Sequence, residues 1–379
     1  TCALPISPKP QNPLNLKLYL YLQQINFQMD TQKKHIFMIE NPLLDISIDM
    51  ADNSLLEKYQ LAHGQASLAT EAQLPMYDEI WGMEGRLAIP GGSTLNSARS
   101  ANFILKNQGH ANSVVYYGSI ADDEKGHTLE QVLKDEGVTG NFHKDTETPT
   151  GTCAVIVVNK ERTLCANLAA ACKYKIEHLH NNMDALRNAA LIYSSSFFIT
   201  SNVQALHEVG QFASDNDIPM GFNFSAVFLI QFELQNVLKA LEHADYVFAN
   251  EDEAAAFGTS QGMEGAPLTE VAKLMAKWKK SNTKRPRVAI VTHGAKPVIV
   301  CQQIHGTEEV TLDEYPIEPL EKHQIVDTNG AGDSFVGAFM SQLYQGRDLA
   351  TCVKAGIYLS REVVQRSGCM FPDKMEWSA

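Results

Sequence analysis

The sequence predicts an α/β fold: a mostly parallel central sheet flanked by helices on both faces, with a small β-rich lid. Three observations carry that expectation. From about residue 189 onward, short apolar runs alternate with amphipathic stretches, the βαβα rhythm of a crossover-connected parallel sheet. Residues 153–158 and 162–167 are β-forming runs on either side of a polar break, and read as a hairpin outside that rhythm. Asp327-Thr328-Asn329-Gly330-Ala331-Gly332-Asp333-Ser334 lies between the apolar pair Ile325-Val326 and a helix-like run at 335–344. Its glycines free the backbone to aim N–H groups at one point.

Taken in order, residues 1–28 read as an extension outside the fold, with Met29 opening a plausible start. The stretch at 14–27 is the nearest thing to a membrane span. It is too short and carries Lys17 and two glutamines. A secretory leader is disfavoured by its weak basic start and weak cleavage pattern. Ile36-Phe37-Met38-Ile39 reads as a first buried strand, and Ile46-Ser47-Ile48-Asp49 alternates like a half-exposed one. Pro90-Gly91-Gly92-Ser93 reads as a break before an amphipathic helix over 94–107, ended by Gly109. Val114-Val115-Tyr116-Tyr117 is a short buried strand, followed by a helix over 127–136. After the hairpin, strands fit 191–193, 220–224, 246–248, 288–292 and 298–302. Helices fit 176–188, 203–215, 232–241, 251–257, 268–280, 332–344 and 348–366. The organisation expected is an extension (1–30), a large domain (31–45, 91–149 and 169–379) and a lid (46–90 and 150–168).

Composition narrows the function. At 379 residues and 44% hydrophobic, the chain can bury a large core. A net charge of −13 disfavours nucleic acid and acidic membranes, which need cationic surface. Seven scattered cysteines form no CxxC pair and no Cys/His metal spacing, so reduced thiols in a cytoplasmic protein are expected.

The glycine turn before a helix is an anion site, because unpaired first-turn amides and the helix dipole favour negative charge there. Asp333 inside it is a poor phosphate ligand but can take a proton from a hydroxyl that attacks phosphorus. That pairing points to phosphoryl transfer. No Walker A loop is present. Gly91-Gly92-Ser93-Thr94-Leu95-Asn96 is a second glycine turn into a helix, read either as a close ligand approach or as an ordinary capped helix. Asp45, four residues after Asn41, suits a vicinal diol or is a solvated turn residue. Arg162 on the hairpin is an exposed charge or a phosphoryl neutraliser. Acids at a helix start explain Glu251 and Asp252 through the dipole, but explain the Asn250 and Glu253 spacing less well.

NPLLDIS, GGSTxN, PTGTCA, ANLAAA, NxxEA and DTNGAGD occur in that order. Together they resemble the ribokinase-like (PfkB) carbohydrate and nucleoside kinases, over about residues 36–373, and within them the branch that acts on adenosine. The resemblance implies ATP-dependent phosphorylation of the adenosine 5′-hydroxyl, giving AMP and ADP for purine salvage. A related nucleoside or sugar kinase is the nearest alternative, and a non-catalytic nucleoside-binding protein the alternative of another class. It implies Asp333 as base, with Gly330, Ala331 and Gly332 as anion hole and Arg162 as lid arginine. For the nucleoside it implies Asn41, Asp45, Gly91, Gly92, Ser93, Asn96 and Asn329, with Leu43, Cys153, Leu164, Ala166, Leu168, Phe197 and Phe228 around the base. For ATP it implies Asn250, Thr292, Gly294, Asp327 and Thr328, with Glu253 and Asn250 toward Mg²⁺, in part through water. It further implies a monomer in the cytoplasm, with the nucleus a second location. Met38-Ile39-Glu40 stands where the family often has Gly-Met-Gly or Gly-x-Glu before Asn-Pro, and the segment 49–86 matches the family loosely.

Overall fold

The structure is a computed structural model that describes residues 35–159 and 161–377. The expected extension at 1–30 lies outside the described residues. Strand β1 (His35–Ile39) is fully buried after its first residue, because it runs through the middle of a nine-stranded sheet. Phe37 and Ile39 enter the core on one face, Ile36 and Met38 the core on the other. The chain then leaves this sheet. Strand β2 (Leu43–Met50), helix α1 (Ser54–Lys58), strand β3 (Ala66–Leu68), helix α2 (Leu74–Gly82) and strand β4 (Leu87–Gly91) belong to a second, smaller layer.

Helix α3 (Ser93–Asn107) returns the chain to the large sheet through β5 (Val114–Ala121), α4 (Glu124–Glu136) and β6 (Thr139–Asp145). The hairpin β7 (Thr152–Val158) and β8 (Glu161–Asn167) completes the small sheet, in the order β3-β8-β7-β2-β4. Helices α5 (Ile176–Asn181) and α6 (Met183–Arg187) lead to β9 (Ala189–Ser195). Then come α7 (Ile199–Asp215), β10 (Met220–Asn223), α8 (Val227–Phe232), α9 (Leu234–Leu241), β11 (Tyr246–Asn250), α10 (Glu251–Ser260) and α11 (Leu268–Lys277). Strands β12 (Val288–His293), β13 (Lys296–Gln303) and β14 (Val310–Tyr315) follow, and helices α12 (Ala331–Tyr344) and α13 (Leu349–Val363) close the fold.

The large sheet runs β14-β13-β12-β11-β10-β9-β1-β5-β6. Every neighbouring pair from β12 to β6 is parallel, and β13 and β14 add antiparallel strands at one edge. The predicted α/β class, with its mostly parallel sheet flanked by helices, is what the chain adopts. On the small sheet, Ile46, Ile48, Ala154, Ile156, Val158 and Cys165 point under α1 and α2 and form a core of their own. By the two-residue alternation of strands, the register places Leu43, Asp45, Cys153, Arg162, Leu164 and Ala166 on the other face.

Several elements differ from expectation. The predicted break at Pro90-Gly91 is the end of β4, an edge strand where a missing N–H costs no ladder bond. The helix predicted over 176–188 is two, broken at Asn182, whose side chain bonds the His178 carbonyl. The helix predicted at 232–241 is preceded by α8 and starts after a bend at Glu233. Among the described residues no helix is long and apolar enough to cross a membrane, and the six described cysteines are free thiols.

Candidate active site

The glycine turn sits where the sequence placed it, at the entry to α12. Gly330 is the residue before the helix, at φ 75°, and a Cβ on it would come within 3.0 Å of the Cys369 Cβ. Both constraints call for glycine. Ser334 ties the turn by donating its N–H and its hydroxyl to the Gly330 carbonyl, at 2.8 and 2.7 Å. Ala331 N–H bonds the Thr328 carbonyl at 3.3 Å. As first-turn amides, those of Gly332 and Asp333 have no acceptor within their own helix. A Cβ at Gly332 would meet nothing within 4 Å, so this side of the turn is open.

Asp333 is half-buried and held by two donors. Ser93 Oγ donates to Oδ1 at 2.8 Å and Asn96 Nδ2 to Oδ2 at 3.0 Å. Burial pushes the Asp333 carboxyl above the usual range, while these two hydrogen bonds pull the other way. Both donors come from the first turn of α3. That helix is entered through Gly92 at φ 95°, where a Cβ would stand 2.5 Å from the Asn41 carbonyl oxygen. The second glycine turn therefore positions the two donors to Asp333.

A ring of side chains surrounds the small sheet's inner face. Asp45 on β2 pairs across to Cys153 on β7, and Cys153 to Ala166 on β8. Burial drives the Asp45 carboxyl up to about 7, against the pull of Arg99 and Arg162 and with the push of Asp333 and Asp327. A Cβ on Gly91 would overlap the Asp45 carboxylate. Leu43 lies opposite Gly91, Leu164 one step along from Ala166, and Leu168 just past the end of β8. Asn41 is buried and donates to the Phe197 carbonyl at 3.1 Å and to Thr200 Oγ1 at 3.0 Å. Phe197 and the half-exposed Phe228 face each other with ring centres 6.2 Å apart.

Arg162 does not stand free over the turn. Its guanidinium is paired with Asp327 and with Ser367 Oγ. Asp327 is buried and also accepts from Gly368 N–H at 2.8 Å and Asn329 N–H at 3.0 Å. Asp327 thus joins the β7–β8 hairpin to the loop before α12 and to the C-terminal segment, accepting from three protein donors.

A cleft of about 350 Å³ opens beside the turn, and Ser93, Phe197, Asn250, Glu253, Thr292, Thr328, Asn329, Gly330, Gly332 and Asp333 line it. Asn223, Ser225, Phe248, Phe335 and Val336 also line it and were not singled out from sequence. Asn223 was findable, since it ends a parallel strand at the carboxyl edge of the sheet. Gly294 turns the chain from β12 to β13 at φ 56°. Asn250 and Glu253 form a reciprocal cap on α10: Asn250 Oδ1 accepts from Glu253 N–H at 2.8 Å, and Glu253 Oε2 from Asn250 N–H at 3.0 Å. Asn250 Nδ2 also donates to Glu253 Oε1 at 2.8 Å. Burial pushes Glu253 up to about 7, with Asp333, Asp252 and Glu251 adding to the rise. Among the described residues no group of three or more His, Cys, Asp or Glu is placed to hold a metal.

Residues 86–376 match the family of pfkB carbohydrate kinases. The chain is 38% identical to adenosine kinase 1 of Arabidopsis thaliana over 340 residues, 89% of this chain and 96% of that one. It is 36% identical to the adenosine kinase of Dictyostelium discoideum over 335 residues, 88% of this chain and 95% of that one. Among solved structures, Anopheles gambiae adenosine kinase in complex with P1,P4-di(adenosine-5) tetraphosphate superposes with a TM-score of 0.78 at 38% identity, covering 89% of this chain and 98% of that one. Ligand-free Trypanosoma brucei brucei adenosine kinase gives 0.82 at 31%, covering 88% and 99%.

Proposed function

The chain belongs to the pfkB family of carbohydrate kinases, and from that membership we propose that it transfers the γ-phosphoryl group of ATP to the 5′-hydroxyl of adenosine, giving AMP and ADP. The observation that carries the chemistry is Asp333, held by Ser93 and Asn96 beside the open first turn of α12.

In this reading the 5′-oxygen attacks the γ-phosphorus in line as its proton passes to an Asp333 carboxylate oxygen. The P–O bond to the β-phosphate breaks and its electrons leave with ADP. The raised proton affinity of Asp333 suits it to that transfer. The open amides at the helix start, with the helix dipole behind them, face the charge that builds on the phosphoryl oxygens. Asp45 accepts the ribose 2′- and 3′-hydroxyls, and Asn41 holds Phe197 in place from below. Leu43, Cys153, Leu164, Ala166 and Leu168, with Phe197 and Phe228, offer the purine an apolar surround. Thr292, Gly294 and Thr328 receive the nucleotide, and Asn329 the nucleoside. Arg162 moves from Asp327 to the phosphoryl group as the nucleotide arrives, so that one cation serves first as latch and then as neutraliser.

Magnesium bound with ATP supplies charge neutralisation at the phosphates. The donor set fits a hydrated ion: both Glu253 oxygens already accept from Asn250, which leaves lone pairs for water more readily than sites for direct ligation.

The test is ADP release with ATP and Mg²⁺ against adenosine, inosine, guanosine, ribose and fructose. Turnover strongest with adenosine, and lost in Asp333→Ala, is the expected result. A better acceptor among the others would move the substrate. Tight adenosine binding without turnover would replace the kinase by a nucleoside-binding protein.

A further inference from the structure

Glu40 has no part in the mechanism above, yet it lies beneath the reacting groups and is 1% exposed. It follows β1 directly and precedes Asn41. Its Oε2 accepts from the backbone N–H of Thr94, the second residue of α3, at 2.5 Å. Its Oε1 accepts from Ser195 Oγ at 3.1 Å. Thr94 is flanked by Ser93 and followed by Asn96, the two residues that hold Asp333. Ser195 in turn accepts from Phe197 N–H at 3.2 Å, and Phe197 lines the cleft. One buried carboxylate thus joins the helix start that aims the base to the turn that carries an aromatic wall.

We propose that Glu40 is a positioning residue for phosphoryl transfer, anchoring the first turn of α3 so that Ser93 and Asn96 hold Asp333 in its reacting orientation. The inference rests on the kinase reading above. A carboxylate at a helix N-terminus is favoured by the dipole and by the amide it accepts from. Burying it is costly. Burial accordingly pushes the Glu40 carboxyl up to about 7, with Asp333 adding to the rise and the Thr94 and Ser195 hydrogen bonds opposing it. The Asp333 charge is one cause of that rise, so the two carboxyls are electrostatically coupled. A neutral amide could accept from Thr94 N–H but would have to donate to Ser195, so it reproduces the pair only if that hydroxyl turns.

The other groups around this pair are known. Tyr116 on β5, Tyr193 on β9 and Cys172 beyond β8 feel Glu40, and all three hold their protons more tightly than usual. Asp333 is felt by Asp45 on β2, Glu253 on α10, Tyr193 and Cys369. Two of these bond the helix carrying the Asp333 donors: Cys369 through Arg99 and Ser100, and Glu40 at the first-turn amide of Thr94.

The experiment measures kcat and KM for adenosine against pH in wild type, Glu40→Gln and Glu40→Ala. Gln retains an acceptor for the Thr94 amide and removes the charge. Its acid limb of kcat should shift from the wild-type position, because the two carboxyls are coupled. Its plateau kcat should fall by ~3–10-fold, because a neutral amide holds the Thr94 N–H less firmly than a carboxylate does. Glu40→Ala should lose more kcat than Glu40→Gln, with KM for adenosine changed less than kcat. If Glu40→Ala does not fold, Glu40→Gln decides alone. Wild-type kcat and an unmoved acid limb in Glu40→Gln overturn the inference while leaving the kinase reading intact. A lower kcat with an unmoved limb also overturns it, because that marks packing alone. Absence of turnover in the wild type sinks both readings together.

Discussion

Asp333 is half-buried at the helix entry it belongs to, and two donors from a different helix fix its direction. Desolvation favours its neutral form, so catalysis should fail as pH drops through a value above the ordinary carboxylate range. Asp333→Asn should lower kcat by ~10²–10⁴-fold, the usual cost of losing a general base. Calorimetric affinity for adenosine should change by no more than a few-fold, and a large loss of binding would mean Asp333 is a ligand residue instead. Asp45 carries the opposite expectation. Losing a charged acceptor for two hydroxyls costs about 1.5–3 kcal/mol, so Asp45→Asn should raise KM for adenosine ~10–100-fold with a smaller change in kcat. Gly91→Ala should mimic that loss, since its Cβ overlaps the same carboxylate. An unchanged KM in both variants would remove Asp45 from the ribose site. Asp333, the glycine turn and Asp45 were legible because each lies in a short string with its own chemistry. The Ser93–Asp333 contact was not, because its partners are 240 positions apart and only the packing of α3 against α12 joins them.

At the scale of elements, long periodic segments were readable and short or edge ones were not. The strands of the parallel sheet are apolar on both faces and therefore stand out. Strand β6, Thr-Gly-Asn-Phe-His-Lys-Asp, lies at one edge of the sheet and reads as polar loop. Strand β14 lies at the other edge with three exposed residues. Helices α1 and α2 are short, and their apolar residues make sense only against the small sheet they cover. The hairpin β7–β8 was legible, but its attachment was not: Arg162 reaches Asp327 across the cleft. Removing one partner of a buried ion pair costs up to ~3–5 kcal/mol, and here less, since Asp327 keeps two N–H donors. Arg162→Ala should therefore lower the melting temperature, speed proteolysis within 150–168, and cut kcat. Adding Asp327→Asn should restore part of the melting temperature and none of the kcat. Recovery of both would make Arg162 a latch with no role in transfer.

The whole molecule gathers carboxylates around one cleft although its net charge is already −13. Glu40, Asp45 and Glu253 are each pushed to about 7, and each is raised in part by Asp333. A carboxyl raised on folding holds a proton that the unfolded chain has released. Its contribution to stability is complete below the ordinary carboxylate range and is lost as pH rises through about 7. The ligand-free protein should thus melt at lower temperature at pH 8 than at pH 6. Asp333→Asn should remove the charge that acts on all three. Its new amide can be met locally, because Asn96 Oδ1 is buried without a partner and becomes an acceptor if the Asn96 amide turns over. Relief of about 1 kcal/mol corresponds to a rise of roughly 2 °C in a chain of this size. The rise should be larger at pH 8, where the neighbours are ionised, than at pH 6. Scanning calorimetry of both proteins at both pH values provides the check. A variant that melts at or below the wild type at pH 8 would show that the carboxylates do not repel one another. A stabilised, inactive variant would show that the base is retained at the expense of stability, because reaction requires it in a crowd of like charges.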